Sequence, residues 1–223
     1  MKGSLFLQAI SKFLLGVVLV GVMIFWPAGT IAFGNGWLLM AILFIPMFAA
    51  GLVMLAKKPE LLRKRLQAKE EQREQNLVVK LSGLMFIVGF VLAGLDHRFG
   101  WLPLPTAVSY AASAVFLLAY ALYAEVLREN AYLSRTIQVQ ESQKVVDTGL
   151  YGIVRHPMYF ATVLLFLAMP LVLGSLISFA VFLAYPLLIA KRIRNEEKVL
   201  EVGLEGYRAY QKKVRYRLIP FVW

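Results

Sequence analysis

The sequence predicts an all-α integral membrane protein: four transmembrane helices, then a C-terminal helical hairpin, a cytoplasmic loop and a C-terminal helix. Three observations predict it. The 223 residues are 60% hydrophobic and only 17% charged, whereas a soluble domain carries about a quarter charged residues. The apolar residues are gathered into runs of the length that crosses about 30 Å of bilayer hydrocarbon. The basic residues fall between and after these runs, where lipid headgroups and the positive-inside rule place them.

In chain order, the first run is 5–26, stopped by Pro27 and Gly29. It follows only Lys2, with Lys12 inside it. No small-x-small site precedes a polar region, so the run is expected to be a retained helix rather than a cleaved signal. The second run is 37–56, with Trp37 as an interfacial anchor, and the third and fourth are 78–95 and 106–127. The last run, 158–190, holds 33 uncharged residues. As one helix it would measure about 50 Å at 1.5 Å per residue, too long for a single crossing. Pro170, Gly174 and Ser175 lie mid-run, so the run is expected to enter and return as a hairpin.

Charge fixes the sidedness of this scheme. Lys and Arg number eight in 57–80, four in 128–157 and nine in 191–217, against none in 27–36 and only Arg98 in 96–105. The three basic segments are therefore expected on the cytoplasmic face, together with the N-terminus. One membrane domain covers 1–223. Residues 1–127 are expected to hold helices one to four and an amphipathic segment at 57–76, and 128–223 a C-terminal region with the residues able to carry chemistry. Within 57–76, Leu62 and Leu66 lie one helical turn apart among basic residues, the pattern of a helix lying on the membrane surface.

Composition also excludes. Cysteine is absent, which removes disulfides, thiolate metal sites and cysteine nucleophiles. The net charge of +11 follows the membrane pattern, so nucleic acid is not an expected partner. His97 and His156 are the only histidines and fall on opposite sides of the expected topology, so no metal site is expected. Asp96-His97-Arg98 sits on the far side as an expected interfacial cap. Gly34-x-Gly36 lacks the third glycine and the strand of a dinucleotide fingerprint. Charges inside the spans are nearly absent, against an ion pathway.

Two clusters can carry chemistry. The first is Gly149-Leu150-Tyr151-Gly152-Ile153-Val154-Arg155-His156-Pro157-Met158-Tyr159. Its glycines let backbone approach a ligand, and Arg155, His156 and Tyr159 supply polar groups at a helix start. By composition it is either a headgroup-level anchor or a ligand site. The second is Lys191-Arg192-Ile193-Arg194-Asn195-Glu196-Glu197, either a solvated charged face or the other half of a site. Arg192 and Glu196 share a helix face at i, i+4. The expected hairpin brings both clusters to one end of the bundle.

Arg155-His156-Pro157-x-Tyr159, the hairpin, then Glu196-Glu197-Lys198-x-Leu200, Tyr207-x-x-Tyr210 and Arg217-Leu218-Ile219-Pro220 resemble the signature of the isoprenylcysteine carboxyl methyltransferase and phospholipid methyltransferase superfamily. The resemblance covers 145–223, with a weaker echo at Pro59-Glu60-Leu61-Leu62; the stretch from Glu197 to Tyr207 is about one residue shorter than usual in that family. It implies an integral membrane methyltransferase using S-adenosylmethionine (SAM). Arg155, His156 and Tyr159 would contact the cofactor, Tyr151 and Val154 would frame its adenosyl group, and Glu196 or Glu197 would hold its polar groups. Arg192 or Arg194 would stand beside the reacting group. The implied acceptor is lipophilic or small: a prenylcysteine-like carboxylate, a lipid amine or a thiol. The site would face the cytoplasm, from a bacterial or archaeal plasma membrane or a eukaryotic endoplasmic reticulum. The alternatives are a membrane NADPH-dependent reductase of the sterol-reductase type and a non-catalytic membrane or transport protein.

Overall fold

The computed structural model describes residues 2–66, 73–130, 132, 133, 139 and 142–223. The far part of the amphipathic segment, 67–72, and residues 131, 134–138, 140 and 141 of the loop 128–157 lie outside the described residues. The described chain is helical: α1 (Lys2–Ala28), α2 (Gly34–Lys57), α3 (Pro59–Leu66), α4 (Arg73–Phe99), α5 (Thr106–Glu129), α6 (Pro157–Val172), α7 (Leu176–Phe182), α8 (Ala184–Gly203) and α9 (Tyr207–Lys213). Among the described residues, five segments are long and apolar enough to cross a membrane, α7 and α8 together making the fifth. The outer face of α1 presents Leu14, Leu15, Val18, Leu19 and Val22, all more than half exposed. In water such a stripe would be costly; in lipid it is the expected surface. The protein is a multi-pass integral membrane protein.

The expected hairpin is present. α6 is 16 residues long, about 24 Å by its rise, and packs along α5, while α7 packs on α4. The turn needs a left-handed residue, which Gly174 supplies at φ 76°. Ser175 then caps α7 by accepting the Ser178 N–H at 3.2 Å. The second arm breaks at Leu183. Pro186, one turn past Phe182, has no N–H to give the Phe182 carbonyl.

The end opposite the clusters is fastened by Asp96. One of its carboxylate oxygens accepts the Leu102 N–H at 2.8 Å and the other the Ser175 hydroxyl at 2.5 Å. Asp96 is 1% exposed, so it is an internal tie between α4, the following loop and the hairpin tip, more than the surface cap expected. His97 stacks on Phe33, ring centroids 3.9 Å apart. At the other end α3 buries Leu61 and Leu62 against α1 and α2, and Lys12 of α1 donates to the Leu66 carbonyl at 2.6 Å.

Candidate active site

The loop before α6 is shaped by Glu129, the last residue of α5. Its carboxylate accepts the Leu150 N–H at 3.1 Å, and a methyl added to Gly149, which has φ 52°, would fall on it. The loop closes as a 3-10 turn over Gly149–Gly152. Pro157 opens α6 at a position where no N–H is needed. The C-terminal segment then runs alongside: Arg155 and His156 donate their backbone N–H groups to the Tyr216 and Arg217 carbonyls, each at 2.9 Å.

α8 sorts the second cluster by phase. Ile189, Ile193 and Glu197 form a buried stripe at i, i+4 spacing. One residue earlier, Arg192, Glu196 and Leu200 form the stripe that faces a pocket. The two adjacent glutamates therefore point about 100° apart and meet different surroundings.

Glu197, 3% exposed, is occupied from within. One carboxylate oxygen accepts the Arg155 Nε–H at 2.7 Å and faces His156 Nε2 at 3.3 Å; the other accepts the Arg217 Nε–H at 2.7 Å. A carboxylate only accepts, so His156 Nε2 carries the proton in this contact. Arg155 also donates Nη1 to the Val214 and Arg215 carbonyls, both at 2.8 Å. These bonds tie α6, α8 and the C-terminal segment together.

Glu196 is placed differently. It accepts the Tyr159 hydroxyl at 2.5 Å, and that hydroxyl accepts the Arg192 Nε–H at 2.9 Å. The chain Arg192–Tyr159–Glu196 crosses from α8 to α6 and back along the pocket wall. Tyr151, Arg155, His156 and Tyr159 line the same pocket, so the two sequence clusters do meet. Val154 is buried but is not on the pocket wall. Arg194 is exposed on another face of α8, its guanidinium 6.0 Å from the centre of the Trp223 ring.

Three further pocket residues, Met158, Tyr207 and Tyr210, were not singled out as site residues from sequence. The i, i+3 spacing of Tyr207 and Tyr210 was the available signal, since it puts both on one face of α9. The Tyr210 hydroxyl donates to the Tyr151 carbonyl at 2.7 Å. The Tyr207 hydroxyl is buried with no hydrogen-bond partner among the described residues. Burial raises its pKa well above the usual phenol range, and the negative charges of Glu197 and Glu196 push the same way. Burial likewise raises Tyr151 and Tyr210. All three phenols stay neutral at physiological pH.

The pocket thus offers aromatic faces, a carboxylate, a guanidinium and an orphan hydroxyl at one end of a membrane bundle. Aromatic faces attract cations, a carboxylate accepts from ammonium or hydroxyl groups, and a guanidinium can hold an anion by a forked contact.

Residues 110–202 match the model of the isoprenylcysteine carboxyl methyltransferase (ICMT) family. Over 91 residues the chain is 31% identical to the Delta(14)-sterol reductase TM7SF2 of Mus musculus. That match covers 40% of this chain and spans about a fifth (22%) of the reductase. The fold resembles the solved structure of the eukaryotic intramembrane Ras methyltransferase ICMT, with a TM-score of 0.55 and 19% identity, covering 92% of this chain and 73% of that one. The family match over 110–202, less than half of the chain, and the shared fold make the chain similar to the isoprenylcysteine carboxyl methyltransferases.

Proposed function

We propose that the protein is a SAM-dependent methyltransferase that modifies a hydrophobic or membrane-borne acceptor at the cytoplasmic face. The observation that carries this is the Arg192–Tyr159–Glu196 chain along one pocket wall, which joins the two halves of the signature. The residues suit the cofactor. Its sulfonium is a cation, and Tyr151, Tyr159, Tyr207 and Tyr210 surround the pocket. Its ammonium and ribose hydroxyls need acceptors, and Glu196 lies on the pocket wall while Glu197 is bound to Arg155, His156 and Arg217. The buried, unpartnered Tyr207 hydroxyl matches a polar ligand group.

When bound, SAM supplies an electrophilic methyl: the acceptor's lone pair forms the new bond as the carbon–sulfur pair returns to sulfur. The protein's part is alignment, from which most of the rate comes. Arg192, on the pocket wall, orients an anionic acceptor; a carboxylate or thiolate needs no general base. The acceptor classes are a prenylcysteine-like carboxylate, a lipid amine and a small thiol.

The sterol-reductase relative favours a second reading, binding of NADPH. Calorimetry in detergent, with chelator present, decides between them. Binding of SAM and of its demethylated product is expected. NADPH binding without SAM binding would establish the reductase, and binding of neither by folded protein would establish a non-catalytic membrane protein.

A further inference from the structure

A second cavity lies away from the candidate site. It is a groove of about 270 Å³ between α1, α2 and α3. Its walls are apolar, with Phe6, Phe13, Phe48 and Leu55 among them, but they also include two cations, Lys12 and Arg65. Neither cation has a carboxylate within ion-pair distance among the described residues. Lys12 uses one of its three donors on the Leu66 carbonyl, which holds the ammonium beside the end of α3. Among the described residues the Arg65 guanidinium lies by the Met158 sulfur at 3.7 Å and the Tyr123 ring at 5.5 Å, close enough to Tyr151 for its charge to act on that phenol. The Arg65 Nε–H is buried with no acceptor among the described residues. A guanidinium seated against a thioether and a ring, with a sealed donor unused, has an unmet demand for an anion.

An apolar groove with two cations in its lining is complementary to an amphiphile with an anionic head. It lies among lipid-facing helices, so the occupant comes from the bilayer, whose cytoplasmic leaflet is rich in acidic phospholipid. We infer that the α1–α2–α3 groove binds an acidic phospholipid, one acyl chain along the groove and the phosphate on Lys12 and Arg65. Met158 belongs to both neighbourhoods: it touches Arg65 and lines the candidate active site. A phosphate that fixes Arg65 therefore also fixes this wall of the pocket. The lipid site itself does not depend on the methyltransferase reading.

The test is thermal unfolding in nanodiscs of phosphatidylcholine, with and without phosphatidylglycerol. Wild-type protein is expected to gain about 4 °C or more from the acidic lipid. Lys12→Gln/Arg65→Gln is expected to lose that gain while melting like wild type in pure phosphatidylcholine. Arg65→Lys, which keeps the charge, is expected to retain part of it. Lys191→Gln/Lys198→Gln removes equal charge from an exposed part of α8 and is expected to keep the gain. No lipid-specific gain in wild type would overturn the proposal, as would a gain undiminished in the Lys12/Arg65 variant, since general attraction to a basic protein would then explain it. Native mass spectrometry adds one further outcome. Displacement of phosphatidylglycerol by a farnesylated cysteine would assign the groove to the methyl acceptor and overturn the lipid site.

Discussion

Arg155 donates its Nε–H to Glu197 at 2.7 Å with both side chains buried, and this pair, not the pocket, is where Glu197 spends its charge. Removing one partner of a buried pair leaves the other uncompensated, at a cost of about 3–5 kcal/mol. Glu197→Gln is therefore expected to lower the melting temperature clearly in detergent. Glu196→Gln is expected to leave it nearly unchanged and to weaken SAM binding roughly ten- to a hundred-fold, the worth of about 1.5–3 kcal/mol for a bond to a charged group. Thermal melts and calorimetry on both variants check this. Equal destabilisation by the two changes would refute the separation.

Tyr207 offers a cleaner separation of folding from binding. Its hydroxyl has no partner among the described residues, so Tyr207→Phe deletes a buried polar group that makes no hydrogen bond there. The melting temperature should hold or rise. SAM affinity should fall about three- to ten-fold, in line with the loss of about 0.5–1.5 kcal/mol for a neutral hydrogen bond. Unchanged affinity would remove Tyr207 from the site.

Much of this was legible in the sequence, for physical reasons. Run lengths gave the spans, and the hairpin followed from an uncharged run too long for one crossing, interrupted at Pro170, Gly174 and Ser175. The meeting of the 149–159 and 191–197 clusters followed from the hairpin. The sequence could not tell Glu196 from Glu197, because their difference lies in the rotational phase of α8, which packing against the core sets. Nor could it show that Asp96 is buried, since its partners Leu102 N–H and Ser175 arrive from distant parts of the chain. Arg65 is one of the basic residues around Leu62 and Leu66, and only the folded chain brings it to Met158 and Tyr123.

Sidedness is open to direct test because the chain has no cysteine. The pocket residues and the C-terminal segment meet at one end of the bundle through Arg155 and Arg217. Single cysteines at Ser142 and Lys212 should therefore react from the same side, and that side should be cytoplasmic by the positive-inside rule. A cysteine at Ile31, in the loop beyond α1, should react from the other. An impermeant maleimide on whole cells and inverted vesicles reads this. Labelling of Ser142 and Lys212 from opposite sides would contradict the hairpin.

The two arginines of the second cluster should part company. Arg192 is half-buried, lines the pocket and bonds the Tyr159 hydroxyl, whereas Arg194 is exposed near Trp223. A cation beside a cationic sulfonium has little reason to strengthen SAM binding, but a forked guanidinium can orient an anionic acceptor. Arg192→Ala should keep SAM affinity within about three-fold, the order of one neutral hydrogen bond, and lower single-turnover methyl transfer by about a hundred-fold or more, the scale of lost alignment. Arg194→Ala should leave both close to wild type. Arg192→Lys keeps the charge without the fork and should recover little. SAM titration and single-turnover assays on the three variants distinguish the cases. Loss of SAM binding in Arg192→Ala as severe as in Glu196→Gln would make the arginine part of the cofactor site. Full turnover in Arg192→Ala would mean that the acceptor is not held as an anion, which would favour the lipid amine over the carboxylate.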